Sequence, residues 1–219
     1  GDAKARTLAA TSHLGLICSH PHCFQAKVKK IQNGDLQNED DDEKETDTSF
    51  PRAAIPEFLR ALQSLRDPLT PSLSWKTEML TVILDEARKV GDKVLVFSQS
   101  LITLDYIQEM CRRQARRVSR LDGRTPIGAR QQDTKEFNAG DKEVYLISTT
   151  AGGIGLNIQG ANRVVIFDTK WNPMHEQQAV GRSYRLNQQK PVVVYRFIVA
   201  GTFEDNINNK QVFKMQLAS

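Results

Sequence analysis

The sequence predicts an α/β protein: a parallel sheet flanked by helices on both faces, with a small helical appendage at the N-terminal end. Three observations carry that prediction. From residue 93 onward, short β-rich runs alternate with helical segments, the order produced by strand–helix–strand crossovers. The runs KVLVFS (93–98), EVYLIS (143–148) and RVVIFD (163–168) are almost continuously apolar, as strands buried on both faces are. Before residue 74 the signals are helical instead.

Residues 4–31 read as a helix pair, with apolar positions recurring through LAATSHLGLI and an interruption at Pro21. Residues 33–50 are rich in Asp and Glu with almost nothing to bury, so this stretch is expected to be a disordered, solvated insert. A helix returns at PEFLRALQSL (56–65), and 66–73, with two prolines, reads as a linker. The α/β part spans 74–219. Trp75 to Val90 opens it as an amphipathic helix, with Leu80, Ile83, Leu84, Ala87 and Val90 at helical spacing and Ser74 as N-cap. Strand 93–98 follows, then a helix over 102–114 and a strand over 116–123 ending in a glycine turn. Thr125-Pro126 is expected to cap and open a helix to about Asn138. Strands 143–148 and 163–168 come next, then a helix opening at Asn172-Pro173, a strand in PVVVYRFIVA (191–200), and a last helix behind a capping box of Thr202 and Asp205.

The chain has 219 residues, enough for one sizeable core. No apolar run is long enough to span a bilayer, and the first residues do not form a signal peptide. Cys18, Cys23 and Cys111 are an odd number in no disulfide-like pattern, which fits a reducing compartment. A start at Gly1 in mid-pattern suggests a fragment of a longer chain. The run Asp35–Asp47 holds eight acidic residues and one lysine, a net of −7; against a formal charge of +4, the remainder carries +11. A basic body of this kind suits a polyanion such as nucleic acid.

Several motifs bear on chemistry. No G-x-x-x-x-G-K-[ST] phosphate loop occurs. VILDEAR (82–88) imitates a strand with a magnesium-binding acid, but its period is helical, and Asp85 and Glu86 fall on the polar side. CSHPHC (18–23) crowds two thiols and two imidazoles into six residues, which reads as a helix-ending turn rather than a tetrahedral metal site. His13 and His175 read as surface or helix-end histidines. In STTAGGIGLNIQGAN (148–162), Gly152, Gly153 and Gly155 permit close backbone approach, and Ser148, Thr149 and Thr150 add hydroxyls that suit phosphate oxygens. Arg182 and Arg185 in QQAVGRSYRLNQ (177–188) lie almost one helical turn apart. Such guanidinium groups clamp phosphates and neutralise the charge of phosphoryl transfer. In open parallel sheets, ligands bind beyond the carboxyl ends of the strands. That draws attention to Ser98-Gln99-Ser100, Leu121-Asp122-Gly123, the loop after Ser148 and the stretch after Asp168.

In order along the chain, LGLICSHPHCF, SWKTEMLTVIL, KVLVFSQS, RLDG, FN (137–138), STTAGGIGLNIQGANRVVIFD, WNP (171–173) and QAVGRSYRLNQ together resemble the second RecA-like lobe of the SWI/SNF-type ATPases of helicase superfamily two. The tail KPVVVYRFIVAGTFEDNINNKQVFK is most similar to the recombination-repair and ATRX-like branch. The resemblance implies that Arg182 and Arg185 reach across a cleft as arginine fingers to ATP and magnesium held mainly by a first lobe of the same polypeptide. Gln178 would support that site, and Gly155 and Asn157 would face the nucleotide. Ser98, Gln99, Thr149 and Trp171 would line a track for double-stranded DNA, with nucleosomes a further partner. It also implies a nuclear location, and an isolated fragment without ATPase activity of its own. Tyr184 and Asn187 depart from the family's usual histidine and glycine. A catalytically inactive DNA- or chromatin-binding module is the alternative; the presence or absence of a phosphate loop and an acidic pair upstream discriminates the two.

Overall fold

A computed structural model describes residues 2–33, 55–149, 157–168, 181 and 188–217. The chain divides into two compact units, Gly1–Glu78 and Met79–Ser219.

The described residues of the first unit include the helices α1 (Asp2–Ser19), α2 (Pro21–Asn33) and α3 (Ile55–Gln63). The break between α1 and α2 falls at His20, and Pro21 opens α2, where its missing N–H costs nothing. His20 is fully buried. One ring nitrogen, Nε2, bonds the carbonyl of Thr70 at 3.0 Å. The other, Nδ1, accepts from the backbone N–H of His22 at 3.1 Å. That pair of partners selects the neutral tautomer protonated at Nε2. Burial accordingly lowers its pKa to about 4, against a partly compensating bond from Thr70. CSHPHC is therefore a helix-to-helix turn whose first histidine holds the linker. His13 differs from the surface position expected for it. It is buried, its ring edge-on to Phe24 at 5.7 Å, and Phe24 in turn is edge-on to Phe58 at 5.0 Å. The apolar body of the imidazole completes an aromatic cluster, which helical spacing alone does not reveal. The linker contains a 3₁₀ turn at Pro71–Leu73. Ser74 donates its hydroxyl to the carbonyl of Cys18 at 3.3 Å. The expected acidic insert, 33–50, lies almost wholly outside the described residues.

Helix α4 (Trp75–Lys89) runs from the first unit into the second. Its Leu80, Ile83, Leu84 and Ala87 are buried as their spacing requires, while Asp85 and Glu86 are exposed. Val90 was expected on the buried stripe but is exposed, because the helix has ended and Gly91 takes φ +66°.

The second unit is built on β1 (Val94–Ser98), β2 (Val118–Leu121), β3 (Val144–Ser148), β4 (Arg163–Ile166) and β5 (Val193–Arg196), with helices α5 (Leu101–Arg113), α6 (Ile127–Ala139) and α7 (Phe203–Leu217). The strands lie in the order β2-β3-β1-β4-β5, and each described pairing is parallel. β1 and β3, at the centre, are buried at each residue. Leu95, Phe97, Tyr145, Ile147, Val164 and Ile166 form one face of the core, joined by Leu121, Phe137 of α6, and Ile158. Burying each such side chain contributes about 1.5–3 kcal/mol. Val96, Leu146 and Val165 alternate onto the opposite face, also buried. This is the RecA-like arrangement: a parallel sheet with helices on both faces.

Two local expectations need correction. Pro126 occupies the cap position of α6, not its first turn, and has no side chain with which to cap. Thr125 closes the preceding turn instead, its hydroxyl accepting from the N–H of Asp122 at 3.1 Å. At α7, the Thr202 hydroxyl accepts from Glu204 N at 3.2 Å, but Asp205 reaches back one residue further than in a standard box, to Gly201 N.

Candidate functional site

Parallel register brings the ends of four strands to one level. Ser98 pairs with Ser148. Leu121 pairs with Ile147, so Asp122 stands beside Ser148. Ile166 pairs with Phe97, so Phe167 and Asp168 follow at the level of Ser98 and beyond. A polar row (Asp122, Ser148, Ser98, Asp168) thus terminates the apolar strands, and all four are buried. The hydrophobic runs end here because the chain has to turn, and polar atoms must satisfy the freed backbone groups.

Asp168 organises the centre of this row. Its carboxylate accepts from the Ser98 hydroxyl and from the backbone N–H of Gln99, the latter at 2.9 Å. The Ser98 Oγ also accepts from Ser100 N at 3.1 Å. Ser100 in turn caps α5, accepting from Thr103 N at 3.2 Å. The turn between β1 and α5 is therefore fixed from both ends, and the side chain of Gln99 stands exposed on it. Thr149 donates its N–H to the Ser98 carbonyl at 3.0 Å. The residue is 8% exposed, yet among the described residues its hydroxyl has no hydrogen-bond partner. A buried hydroxyl left without a partner costs about 1–3 kcal/mol.

A second knot lies at the end of β2. Asp122 accepts from Arg120 Nε at 2.8 Å, Arg124 NH2 at 3.0 Å and Arg124 N at 2.9 Å. Burial pushes its pKa up, but the bonds from Arg124 and the two guanidinium charges outweigh that and hold it below the usual range. Arg120 is mostly buried, whereas Arg124 is 60% exposed. The knot leaves one guanidinium facing solvent at the carboxyl edge.

The opposite, amino-terminal end of the sheet receives the chain after both glycine loop and arginine segment. Asn157 is exposed there. Asn138, near the end of α6, donates Nδ2 to the Asn157 carbonyl at 2.9 Å, and its Oδ1 accepts from Gly160 N at 2.9 Å. Gln188 donates Nε2 to the carbonyls of Gln159 (3.1 Å) and Ala161 (2.8 Å). Asp92 pairs with Arg163 and Lys190, each at 2.7 Å, tying together the lead-ins of β1, β4 and β5.

Of the residues singled out by sequence, Ser98, Gln99 and Thr149 converge at the carboxyl edge, and Asn157 lies at the other end. Gly155, Trp171, Gln178, Arg182 and Arg185 lie outside the described residues, as does His175. Ser98 does not present its hydroxyl to solvent: the side chain is fully buried and spent on Asp168 and the following turn. Asp168, Asn138 and Gln188 fall within motifs quoted for the resemblance, but the sequence assigned none of them a role. The signal for Asp168 was an acid closing an apolar run; for the two amides it was only their place at the ends of FN and QAVGRSYRLNQ.

The helicase conserved C-terminal domain family matches residues 75–187, a span that begins with α4 and runs through both arginines. The chain belongs to that family. It is a C-terminal lobe of the SWI/SNF-type ATPases of superfamily two. It is 38% identical over 203 residues to the mouse transcriptional regulator ATRX, covering 81% of this chain and 8% of that protein. It is 36% identical over 218 residues to the DNA repair protein rhp54 of Schizosaccharomyces pombe, covering 98% of this chain and 24% of that one. The crystal structure of the C-terminal part of the Fun30 ATPase domain superposes with a TM-score of 0.63 at 30% identity, over 73% of this chain and 52% of that one. The chain thus spans under a quarter of the length of these two curated relatives.

Proposed function

We propose that this lobe is the second half of an ATP-dependent motor on double-stranded DNA, of the chromatin-remodelling or recombination-repair kind, working in the nucleus. The observation that carries the reading is a family match that includes Arg182 and Arg185 in a chain without a phosphate-binding loop. Arginines of this kind serve a nucleotide seated on another domain. In this reading magnesium and the phosphate loop belong with the first lobe. Among the described residues, no helix is long and apolar enough to cross a membrane.

In this reading Arg182 and Arg185 stabilise the charge that develops on the transferred phosphoryl group, with Gln178, Gly155 and Asn157 lining the nucleotide side. Closure of the cleft completes the site; loss of the γ-phosphate removes what the guanidinium groups grip, and the lobes part. Gln99 and Thr149, at the carboxyl edge, contact the DNA backbone, Thr149 through a hydroxyl without a partner among the described residues, and Trp171 joins them in this reading. Ser98 takes a different part, as the buried post that fixes Gln99 and Thr149 in place. Contacts to phosphates rather than base edges make such binding largely independent of sequence.

The test joins this chain to a matching first lobe and measures DNA-stimulated ATP hydrolysis. Arg182→Ala and Arg185→Ala should each lower turnover by about 10³-fold or more. Full activity in the double variant refutes the assignment. Brisk hydrolysis by the 219-residue chain alone refutes the two-lobe site.

A further inference from the structure

We propose that Gln188 and Asn138 are positioning residues for ATP turnover: two side-chain amides that moor the exits of the glycine loop and of the arginine segment to one place at the amino-terminal end of the sheet. The inference rests on the two-lobe reading above.

Gln188 is the first described residue after 182–187, the stretch that holds both arginines. Its amide nitrogen donates to the carbonyls of Gln159 and Ala161, while its oxygen accepts from Lys190 N at 3.0 Å. One side chain therefore grips the tail of the glycine loop with its nitrogen and the start of its own strand with its oxygen. Lys190 is held in turn by Asp92 and by the Gly91 carbonyl at 3.1 Å. Asn138 grips the same loop from α6, donating to Asn157 O and accepting from Gly160 N. Gly160 fits against Asn138 only because it lacks a side chain: a Cβ there would stand 2.8 Å from Asn138 Cα and 3.0 Å from its Oδ1. Ile158, fully buried in the core cluster, anchors the strip between the two amides.

Each amide works as donor and acceptor at once, which neither a carboxylate nor a hydrocarbon of the same shape can do. Arg185 lies three positions before Gln188, a tether of at most about 11 Å between their Cα atoms. Fixing Gln188 therefore bounds how far Arg185 can lie from it. Misplacing a catalytic group by about 1 Å can cost about 10²-fold in rate.

Two measurements test this. In the 219-residue chain, amide exchange is followed by NMR. Gln188→Leu should speed exchange at Lys190 N–H, and Asn138→Ala at Gly160 N–H, each by 10-fold or more by about the lost protection of one bond, while Val96 and Val165 in the central strands keep wild-type rates. In the two-lobe enzyme, Gln188→Leu should lower kcat by about 10-fold or more with KM for ATP and affinity for DNA changed less than about 2-fold, since the loss is of alignment rather than binding. The same change made on Arg185→Ala should cost little further, because the aligned group is gone. Unchanged exchange at Lys190 overturns the mooring. An enzyme dependent on its arginines but indifferent to Gln188 overturns this proposal alone, whereas an arginine double variant with full activity overturns the reading beneath it as well.

Discussion

Asp168 offers a quantitative test of how the carboxyl edge is held. Its carboxylate carries bonds from the buried Ser98 hydroxyl and from Gln99 N–H. Bonds to an ionised group contribute about 1.5–3 kcal/mol each, so Asp168→Ala should destabilise the sheet unit by about 3–5 kcal/mol. Asp168→Asn keeps the shape, and its oxygen can accept from Gln99 N–H while its N–H donates to Ser98 Oγ, but the charge that strengthens both bonds is lost; about 1–2 kcal/mol is expected. Ser98→Ala removes one bond and a small volume, for about 1–2 kcal/mol. Because the two residues share a bond, the double variant should fall short of additivity by about 1–2 kcal/mol. The chain has two units, so a single unfolding curve would mix them. Amide exchange at Phe97 and Val165 reads the sheet unit alone. Strict additivity within about 0.5 kcal/mol, or a loss below about 1 kcal/mol for Asp168→Ala, would refute the argument that this carboxylate fastens the β1 turn.

Other consequences are open to direct measurement. His20 is held near 4 by burial, against 6.5 when free, so between those values the unfolded chain binds more protons than the folded one. The helical unit should keep this contribution above pH 6.5 and lose up to about 3 kcal/mol as pH falls towards 4. The His20 ring titration and urea unfolding between pH 4 and 7 check it; a midpoint near 6.5 refutes it. Gly160→Ala drives a methyl group into the backbone of Asn138 and should cost about 1–3 kcal/mol, seen as a lower Tm; an unchanged Tm counts against the close approach. Burial raises the Cys111 thiol to about 12, while Cys18 is only partly buried. A thiol reagent at pH 8 should label Cys18 first and leave Cys111 unmodified until the sheet unfolds, as mass spectrometry of the labelled peptides will show. Early labelling of Cys111 contradicts its burial.

The strands and most helices could be read from the chain because their cause is local. Continuous apolar runs such as VLVF and VYLI can only be buried on both faces, and the period of Leu80, Ile83, Leu84 and Ala87 admits only a helix. The arginine pair and the glycine-rich stretch stand out by residue type and spacing, but both arginines and Gly152, Gly153 and Gly155 lie outside the described residues. Register was not legible. Only parallel pairing of Ser98 with Ser148, and of Leu121 with Ile147, sets Asp122, Ser98 and Asp168 in one row, and only then does Ser98 become a buried post rather than an exposed contact. His13 reads as a surface residue until Phe24 closes over it. Asn138 and Gln188 are fifty residues apart and belong to no periodic pattern; their meaning arises where α6, the glycine loop and the lead-in to β5 meet. Local periodicity records which side of an element is apolar. Hydrogen bonds between distant segments depend on distances that exist only once the sheet has assembled.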